Sequence, residues 1–219
     1  MEKTIIIIGS GKGLGNHIGK KFGHNGFHVI LMARNRAALE EYQQEFVSED
    51  IKCDIYPVDT SDFQGLSTAL KNVREKYGTP DTLVYNVGVT DADADHDITA
   101  ELLMERYRVD VAGCYQAVKE IVTDEFCDRK GTILVTGGRL SINPEFTYLP
   151  LSLDKAALRS LCMIMKEELE PKGVHVGTVM VCGGIKPGTY FAPENIAEKF
   201  WELYQNRELF EIRYEKVTE

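Results

Sequence analysis

The sequence contains no apolar run long enough to cross a membrane and no excess of basic residues. The opening segment MEKTIIIIGS is apolar, but a transmembrane helix needs about 20 such residues, and the segment lacks the cleavage site of a signal peptide. The formal net charge is -9, whereas a surface that binds nucleic acid must neutralise phosphates with lysine and arginine. We therefore expect neither a membrane nor a nucleic acid as a partner.

Paired cysteines, repeats and flexible linkers are also missing. The 5 cysteines are scattered without a C-x-x-C pair, and an odd number of thiols is not typical of a disulfide framework. This pattern predicts reduced thiols and a cytoplasmic location. No segment rich in proline, glycine or serine divides the 219 residues, so we expect a single domain that covers residues 1–219.

Short apolar segments alternate with longer amphipathic ones through nearly the whole chain. This alternation is typical of a parallel sheet covered by helices, with strands buried on both faces. The predicted strands cover residues 3–8, 28–32, 52–57, 82–85, 132–136, 175–181 and, more weakly, 209–214. The predicted helices cover residues 14–26, 36–50, 61–78, 99–126 (with Thr99 as N-cap and an adjustment at Gly113), 152–169 and 193–206. The expected fold class is α/β, a doubly wound parallel sheet (Rossmann fold) of about seven strands with helices on both faces.

A glycine-rich loop joins the first predicted strand to the first predicted helix. It reads Gly9, Ser10, Gly11, Lys12, Gly13, Leu14, Gly15. Glycines let the backbone turn tightly and let a pyrophosphate approach the helix N-terminus, where unpaired N–H groups favour an anion. The alternative is a purely structural turn, but the order of strand, loop and helix favours nucleotide binding.

The end of the second strand bears on the choice of cofactor. A fold that prefers NAD usually places an acidic residue there to hold the ribose 2′-hydroxyl, yet the strand runs into Arg34 with no acid nearby. Arg34 can pair with a 2′-phosphate through its planar guanidinium, and Lys12 can add a second positive charge. These residues predict NADPH rather than NADH as the preferred cofactor. The alternative is that both are solvated surface charges.

Three segments, GSGKGLG, PVDTSD and LVYNVG, resemble in order three motifs of the short-chain dehydrogenase/reductase family. The matching residues are Gly9, Gly13 and Gly15 in the glycine motif, Asp59 at the position that contacts the adenine, and Asn86 and Gly88 in the Asn-Asn-Ala-Gly motif. Tyr85 replaces the first Asn of that motif. The resemblance covers essentially the whole chain and implies hydride exchange between a nicotinamide and a small carbonyl or alcohol.

The same resemblance places the chain among atypical members that lack most of the catalytic residues. The family uses an Asn, a Ser and a Tyr-x-x-x-Lys pair, in which the lysine binds the nicotinamide ribose and lowers the pKa of the tyrosine. Here Asp110 stands at the Asn position, Gly138 at the Ser position and Leu151 at the Tyr position, while Lys155 is retained. The 13 positions from Gly138 to Leu151 equal the family's usual spacing between Ser and Tyr, so the alignment needs no insertion.

Several groups could replace the missing proton donor. Tyr148 is one candidate, although Pro150 makes a continuous helical turn between Tyr148 and Lys155 improbable, and the tyrosine could simply line a pocket wall. Asp110 could hold the Lys155 ammonium, or could be a solvated acid. Other hydroxyls expected near the cleft, without an evident base beside them, are Thr136, Ser141 and Ser152. The expected catalytic residues are therefore Lys155, Tyr148 and Asp110.

The acidic segment DADADHDIT invites a metal-binding interpretation through Asp91, Asp93, Asp95, His96 and Asp97. The glycine and final glutamate of a calcium loop are absent at the required spacing. We therefore predict no metal, and instead either a mobile, solvated lid over the cleft or a segment that leads into the next helix.

Two functions remain open from the sequence. One is an NADP(H)-dependent oxidoreductase with a non-standard active site, and the other is a catalytically inactive NADP(H)-binding or sensing protein that regulates a partner. The resemblance also implies a homodimer or homotetramer formed through the helical segments 99–126 and 152–169. The substrate itself is not indicated.

Overall fold

The computed structural model describes residues 2–90 and 97–216. Its strands are β1 (Lys3–Ile8), β2 (Phe27–Ala33), β3 (Cys53–Pro57), β4 (Thr82–Tyr85), β5 (Thr132–Gly138), β6 (His175–Val181) and β7 (Glu211–Tyr214). Its α-helices are α1 (Leu14–Gly23), α2 (Arg36–Ser48), α3 (Phe63–Tyr77), α4 (Ala100–Tyr107), α5 (Gly113–Ile121), α6 (Asp124–Asp128), α7 (Leu149–Leu169) and α8 (Pro193–Gln205). A π-helical turn, Arg108–Ala112, joins α4 to α5.

The strands form one seven-stranded sheet in the order β3-β2-β1-β4-β5-β6-β7. Each neighbouring pair is parallel. Helices cover both faces: α3, α5, α6 and α7 contribute to the hydrophobic cluster on one face, and α1, α2 and α8 to the cluster on the other. The predicted doubly wound α/β fold is confirmed.

The central strand shows why the apolar runs form this sheet. Ile5 and Ile7 pack into one cluster, Ile6 and Ile8 pack into the other, and all four are at most 1% exposed. Successive side chains of a strand point to opposite faces, so an uninterrupted isoleucine run is buried on both. Each such burial contributes about 1.5–3 kcal/mol relative to an exposed side chain.

The helix predicted over residues 99–126 is confirmed from Ala100 to Ile121, with a π turn directly before Gly113, the predicted point of adjustment, but it does not continue unbroken to Phe126. Thr99 is the N-cap, accepting a hydrogen bond from the Leu102 N–H at 3.2 Å, but the segment divides into α4, the π turn, α5 and α6. Within the π turn, the carbonyl oxygen of Val109 accepts hydrogen bonds from the Tyr85 hydroxyl of β4 at 2.6 Å and from the Thr60 hydroxyl at 3.4 Å. A π turn leaves the regular i to i−4 hydrogen-bond pattern, and Tyr85 bonds a carbonyl within it.

Most other elements differ from their predicted bounds by one to three residues, and two of these differences have a clear physical reason. α7 begins at Leu149 rather than near residue 152, because Pro150 lies in the first turn, where its missing N–H is not needed for an intrahelical bond. β5 extends to Gly138 rather than ending at residue 136, since Gly137 and Gly138 continue the pairing with Met180 and Val181. No helix among residues 2–90 and 97–216 is long and apolar enough to cross a membrane.

Candidate active site

The cleft lies where the chain reverses its direction of winding across the sheet. From β1 the chain proceeds to β2 and β3 on one side, and from β4 it proceeds to β5, β6 and β7 on the other. Ligands of doubly wound folds bind beyond the carboxyl ends of the strands at such a point. A cavity of about 580 Å³ lies there, lined by the glycine loop, the end of β4, the end of β5 and the start of α7.

The glycines of the loop let neighbouring backbone segments approach closely and leave room for an anion. Gly9 has a φ of 92°, and a Cβ on it would lie 2.4 Å from the carbonyl oxygen of Asn86. A Cβ on Gly15 would lie 2.4 Å from the carbonyl oxygen of Gly9. By contrast, Gly11 and Gly13 have open space where a side chain would stand, and α1 begins without a side-chain cap. This cradle at a helix N-terminus suits a pyrophosphate.

The other residues of the loop divide between the cavity and the surface. Leu14 lines the cavity of about 580 Å³. The Ser10 hydroxyl is buried and donates to the carbonyl oxygen of Ile7 at 2.9 Å. Lys12 is exposed and does not line the cavities described here.

A smaller cavity of about 230 Å³ continues from the loop toward the end of β2. Arg34 lines it and is exposed to solvent. Asp59 lies between two of its lining residues, Val58 and Thr60, but is not itself part of the wall. Its carboxylate accepts hydrogen bonds from the N–H and hydroxyl of Ser61 at 2.8 and 2.7 Å. These bonds, with a smaller contribution from the Arg34 charge, lower the pKa of Asp59.

Asn86 connects three strands at the reversal point. Its amide nitrogen donates to the carbonyl oxygen of Gly9 at 3.0 Å, and its amide oxygen accepts from the Thr136 hydroxyl at 2.7 Å. Gly88, two residues on, lies beside Lys155 and Asp110: a Cβ there would stand 3.4 Å from Lys155 Nζ and 3.9 Å from Asp110 Oδ2. The structure therefore brings Asn86, Gly88, Lys155 and Asp110 together.

Lys155 is buried in the wall of the cleft, at 7% exposure. Its ammonium donates to the carbonyl oxygen of Thr136 at 2.9 Å. Burial lowers the pKa of Lys155, and the negative charge of Asp110 is the largest opposing influence. A buried amine of this kind loses its proton more easily than a solvated one.

The two residues that the resemblance aligns with the family's Ser and Tyr lie next to this lysine. Leu151, four residues before Lys155 on α7, lines the cleft and is 7% exposed. Gly138 also lines it, and a Cβ there would meet the Lys155 Cγ at 3.8 Å, an ordinary contact distance. Neither side chain can donate a proton.

Asp110 is fully buried on the π turn. Both carboxylate oxygens lie 3.3 Å from the Val89 N–H, which donates to them. Burial raises the pKa of Asp110, while the Lys155 charge is the largest opposing influence. The predicted interaction with Lys155 is therefore electrostatic, since the lysine gives its hydrogen bond to Thr136 instead.

The candidate hydroxyls have different surroundings. Tyr148 is half-buried, lines the same cleft as Lys155 and precedes α7 directly. The hydroxyls of Thr136, Ser141 and Ser152 donate to Asn86, to the Gly138 carbonyl and to the Glu145 carbonyl, respectively. Those three protons are already engaged, whereas the Tyr148 hydroxyl has no hydrogen-bond partner within the described ranges 2–90 and 97–216.

Two residues near the site were not among the predicted functional ones. Tyr85 appeared in the sequence only as a replacement, although its hydroxyl bonds the π turn that carries Asp110. Asp154 is 2% exposed beside Lys155. An acid at a buried position of an amphipathic helix is the signal that could have identified it. Residues 91–96 of the acidic segment predicted as a solvated loop lie outside the described residues.

Comparisons with known proteins agree with this geometry. The family model described as short chain dehydrogenase matches residues 3–196. A diacetyl reductase [(S)-acetoin forming] of Staphylococcus epidermidis is 27% identical over 190 residues, covering 84% of this chain and 72% of the relative. An alcohol dehydrogenase of the archaeon Thermococcus sibiricus, complexed with 5-hydroxy-NADP, has a TM-score of 0.87 at 22% identity and 99% coverage of both chains. The L-sorbose reductase of Gluconobacter frateurii, complexed with NADPH and L-sorbose, has a TM-score of 0.87 at 19% identity, covering 99% of this chain and 98% of the other.

Proposed function

Because the chain belongs to the short-chain dehydrogenase family, we propose that it is an NADP(H)-dependent oxidoreductase of a small carbonyl or alcohol with a non-standard active site. One observation carries the proposal: Lys155 is buried in the same cavity as the glycine loop and has no carboxylate within hydrogen-bonding distance among the described residues. Burying an ammonium without a bonded counter-charge is costly. A role at the bound cofactor explains why the lysine is held there.

The cofactor would lie across the reversal point of the sheet. The glycine loop, with Gly9, Gly11 and Gly13, would hold the pyrophosphate, and Arg34 would hold a 2′-phosphate with the help of Lys12. Two structural neighbours carry NADPH or a hydroxylated NADP, which supports the same class of cofactor here. When bound, NADPH supplies a hydride to a carbonyl carbon. The protein must then supply a proton to the carbonyl oxygen.

The residues that would do so differ from the family pattern. With Leu151 at the tyrosine position, no phenol stands one helical turn before Lys155. A positioned general acid contributes about 10²- to 10⁴-fold to a rate, so turnover of ordinary carbonyl substrates is expected to be slow. Lys155, Tyr148 and Asp110 are the proposed catalytic residues, and Asn86, Gly88 and Asp59 belong to the proposed cofactor site.

The second candidate function is a catalytically inactive NADP(H)-binding protein that reports cofactor state to a partner. The combined replacements at Gly138 and Leu151 favour it, because they remove both family hydroxyls while the glycine loop keeps its cradle. In this case the cofactor would bind with the same preference but no substrate would be turned over.

We further propose a single cytoplasmic domain that forms a homodimer or homotetramer. Large apolar side chains are exposed on the helices that the family pattern would place at a subunit contact. They are Met104, Tyr115, Leu153, Met163 and Ile164 on α4, α5 and α7. Light scattering should give a mass of two or four chains, and a monomer at micromolar concentration would contradict the proposal.

The decisive experiment compares cofactor binding and turnover in the wild type and in Lys155→Ala. Titration with NADPH and NADH should give at least tenfold tighter binding of NADPH. A panel of aldehydes, ketones, enones and quinones should then reveal turnover that Lys155→Ala abolishes. Lys166→Ala, a lysine on the outer part of the same helix, is the matched control. NADPH binding without turnover of the whole panel would reject the oxidoreductase, and robust hydride transfer would reject the sensor.

A further inference from the structure

The cleft has a part of its wall for which the proposed cofactor site gives no reason. This part lies on the β5 and β6 side of the reversal point, away from the glycine loop, and comes from the segment after β5, the start of α7 and the segment after β6. Its side chains, which we call the far wall, are Arg139, Leu140, Glu145, Tyr148, Leu151 and Ile185. A substrate beside Lys155 would contact them.

Three side chains of the far wall are apolar. Leu151 is 7% exposed, Leu140 is half-buried and Ile185 is 43% exposed. At the two positions that the resemblance aligns with the family's hydroxyls, Leu151 presents an apolar side chain and Gly138 leaves free space. Burying one methylene group against apolar surface strengthens binding about fourfold. The far wall therefore favours a ligand with an apolar chain.

Two donor groups beside these apolar side chains can bind a carbonyl oxygen. The Tyr148 hydroxyl lines the cleft, and the Lys155 ammonium uses one proton on the Thr136 carbonyl, which leaves two further N–H bonds. A simple ketone or aldehyde offers a single oxygen to accept such bonds. A polyhydroxylated ligand would bring further hydroxyls against apolar side chains, where unpaired polar groups are costly.

The charges of the far wall cancel each other. The Arg139 guanidinium donates a hydrogen bond to the Glu145 carboxylate. The two side chains are 43% and 40% exposed, so the pair adds little to stability. Its effect is on ligands: a carboxylate or phosphate must compete with Glu145 for Arg139, whereas an uncharged ligand has no need to separate the pair.

The backbone holds both members of this pair in place. The Glu145 N–H donates to the Ser152 hydroxyl at 3.1 Å, and the Ser152 hydroxyl donates to the Glu145 carbonyl at 3.3 Å. Ser152 is 4% exposed on α7. Arg139 follows β5 directly, and its carbonyl accepts the N–H groups of Ile142 and Asn143, each at 2.9 Å. The fold therefore presents both charges at defined positions on the wall.

This inference rests on the proposed oxidoreductase function, because it names the substrate class of the same site. We propose that the cleft takes an uncharged ketone or aldehyde with an apolar chain, and that Glu145 sets this specificity by neutralising Arg139. The carbonyl oxygen lies toward Lys155 and Tyr148, and the chain lies along the apolar side chains of the far wall. Glu145 acts through Arg139 and is a positioning residue.

The first test measures ligand binding without turnover. The protein is saturated with NADP⁺, which has no hydride to donate to a ketone, and ligands are titrated while chemical shifts are followed by NMR. The probes are butanone, methyl butyl ketone, methyl hexyl ketone, L-sorbose, and methyl hexyl ketone with a carboxylate in place of its terminal methyl group. Affinity should rise about fourfold per methylene, and the carboxylate should bind at least tenfold more weakly than its uncharged counterpart. Affinity that is independent of chain length, equal binding of the carboxylate, or tighter binding of L-sorbose would overturn the proposal.

The second test uses matched variants on the two sides of the cavity wall. Ile185 and Ile142 are 43% and 40% exposed, and of the two Ile185 lines the cavity. Ile185→Asn should weaken binding of methyl hexyl ketone at least fivefold, and Ile142→Asn should change it less than twofold. Equal losses in both variants would show that the chain does not lie along the far wall.

The role of Glu145 is tested by the affinity for the carboxylate relative to that for methyl hexyl ketone. Glu145→Gln should raise this ratio at least tenfold, because it releases Arg139 to form a charged hydrogen bond with the ligand. The double variant Glu145→Gln, Arg139→Gln should lose the gain. A change in packing alone would affect both ligands, so an unchanged ratio in Glu145→Gln would overturn its role in specificity.

Turnover distinguishes a failure of this inference from a failure of the proposed function. Binding in the expected order without turnover of any ketone would reject the oxidoreductase and keep the ligand class. Turnover of charged or polyhydroxylated carbonyls, with none of the alkyl ketones reduced, would keep the oxidoreductase and reject the substrate class.

Discussion

Restoring the two family hydroxyls should convert the cleft into a faster carbonyl reductase. The change is the double substitution Gly138→Ser and Leu151→Tyr. Gly138 has a φ of -166°, an extended backbone that any residue adopts, and the atoms nearest to an added Cβ are 3.8 and 3.9 Å away. Leu151 lines a cavity of about 580 Å³, so a larger ring can extend into open space rather than into the core.

The expected gain follows from the role of the added phenol. A tyrosine at residue 151 stands one helical turn before Lys155, whose positive charge stabilises the phenolate. A positioned general acid gives about 10²- to 10⁴-fold in rate, which corresponds to roughly 3–5 kcal/mol of activation free energy. An added Cβ at Gly138 meets its first contact at 3.8 Å, and Leu151 faces the cavity, so the free energy of unfolding should change by no more than about 1 kcal/mol.

The assay is NADPH oxidation at 340 nm with small ketones and diketones, at saturating cofactor. The matched control is Gly138→Ser combined with Leu151→Phe, which adds the ring without the hydroxyl. The tyrosine variant should exceed this control by at least 100-fold in kcat/KM. Equal rates in the two double variants, with NADPH binding and thermal stability preserved in both, would refute the alignment of Leu151 with a catalytic tyrosine.

Three further changes test the cofactor site, the buried acid and the π turn. Arg34→Ala should weaken NADPH binding at least tenfold without affecting NADH, since a charged hydrogen bond contributes about 1.5–3 kcal/mol; an equal loss in Arg36→Ala, measured by calorimetry, would contradict this. Burial raises the folded-state pKa of Asp154 to about 7, above its unfolded value of about 3.9, so the folded state holds the carboxyl proton more tightly. The stability that this proton contributes to the fold is fully present below pH 4 and is lost as the pH rises through 7. The free energy of unfolding of Asp154→Asn should therefore rise, relative to that of the wild type, by up to about 4 kcal/mol between pH 4 and pH 8. If the free energies of unfolding of the two proteins, measured with urea, change in parallel over this pH range, the raised pKa is contradicted. Tyr85→Phe should cost about 0.5–1.5 kcal/mol in urea unfolding, because it removes the shorter hydrogen bond to the Val109 carbonyl and leaves only the Thr60 hydroxyl at 3.4 Å; an unchanged midpoint would show that the π turn does not need this bond.

The sheet could be predicted from the sequence because its signal is local. The isoleucine run of β1 and the alternating apolar segments gave seven strands at nearly their observed positions, and β1, β4 and β6 have the predicted bounds. Burial on both faces leaves little freedom in where such segments lie. The position of the glycine loop at the reversal point of the sheet followed from the same reasoning.

The helices on the catalytic side could not be predicted as well, because their form depends on distant contacts. A π turn has nearly the same apolar periodicity as an α-helix, and its carbonyl is bonded by Tyr85, which lies 24 positions from Val109. Asp154 shows a similar limit. Next to a lysine on an amphipathic helix it resembles a solvated charge pair, yet in the folded protein it is 2% exposed.

The strand order also has a consequence for the growing polypeptide on the ribosome. β1 pairs with β2, and β2 with β3, so these three strands can assemble once residue 57 has emerged. The other edge of β1 must wait for β4, which begins at Thr82. Until β4 has emerged, the edge of β1 that carries Ile5–Ile8 has no paired strand. Unpaired apolar edges promote the aggregation of nascent chains. Slow translation between residues 57 and 82 would lengthen that exposure, so we expect the yield of folded protein to depend on codon choice in this interval.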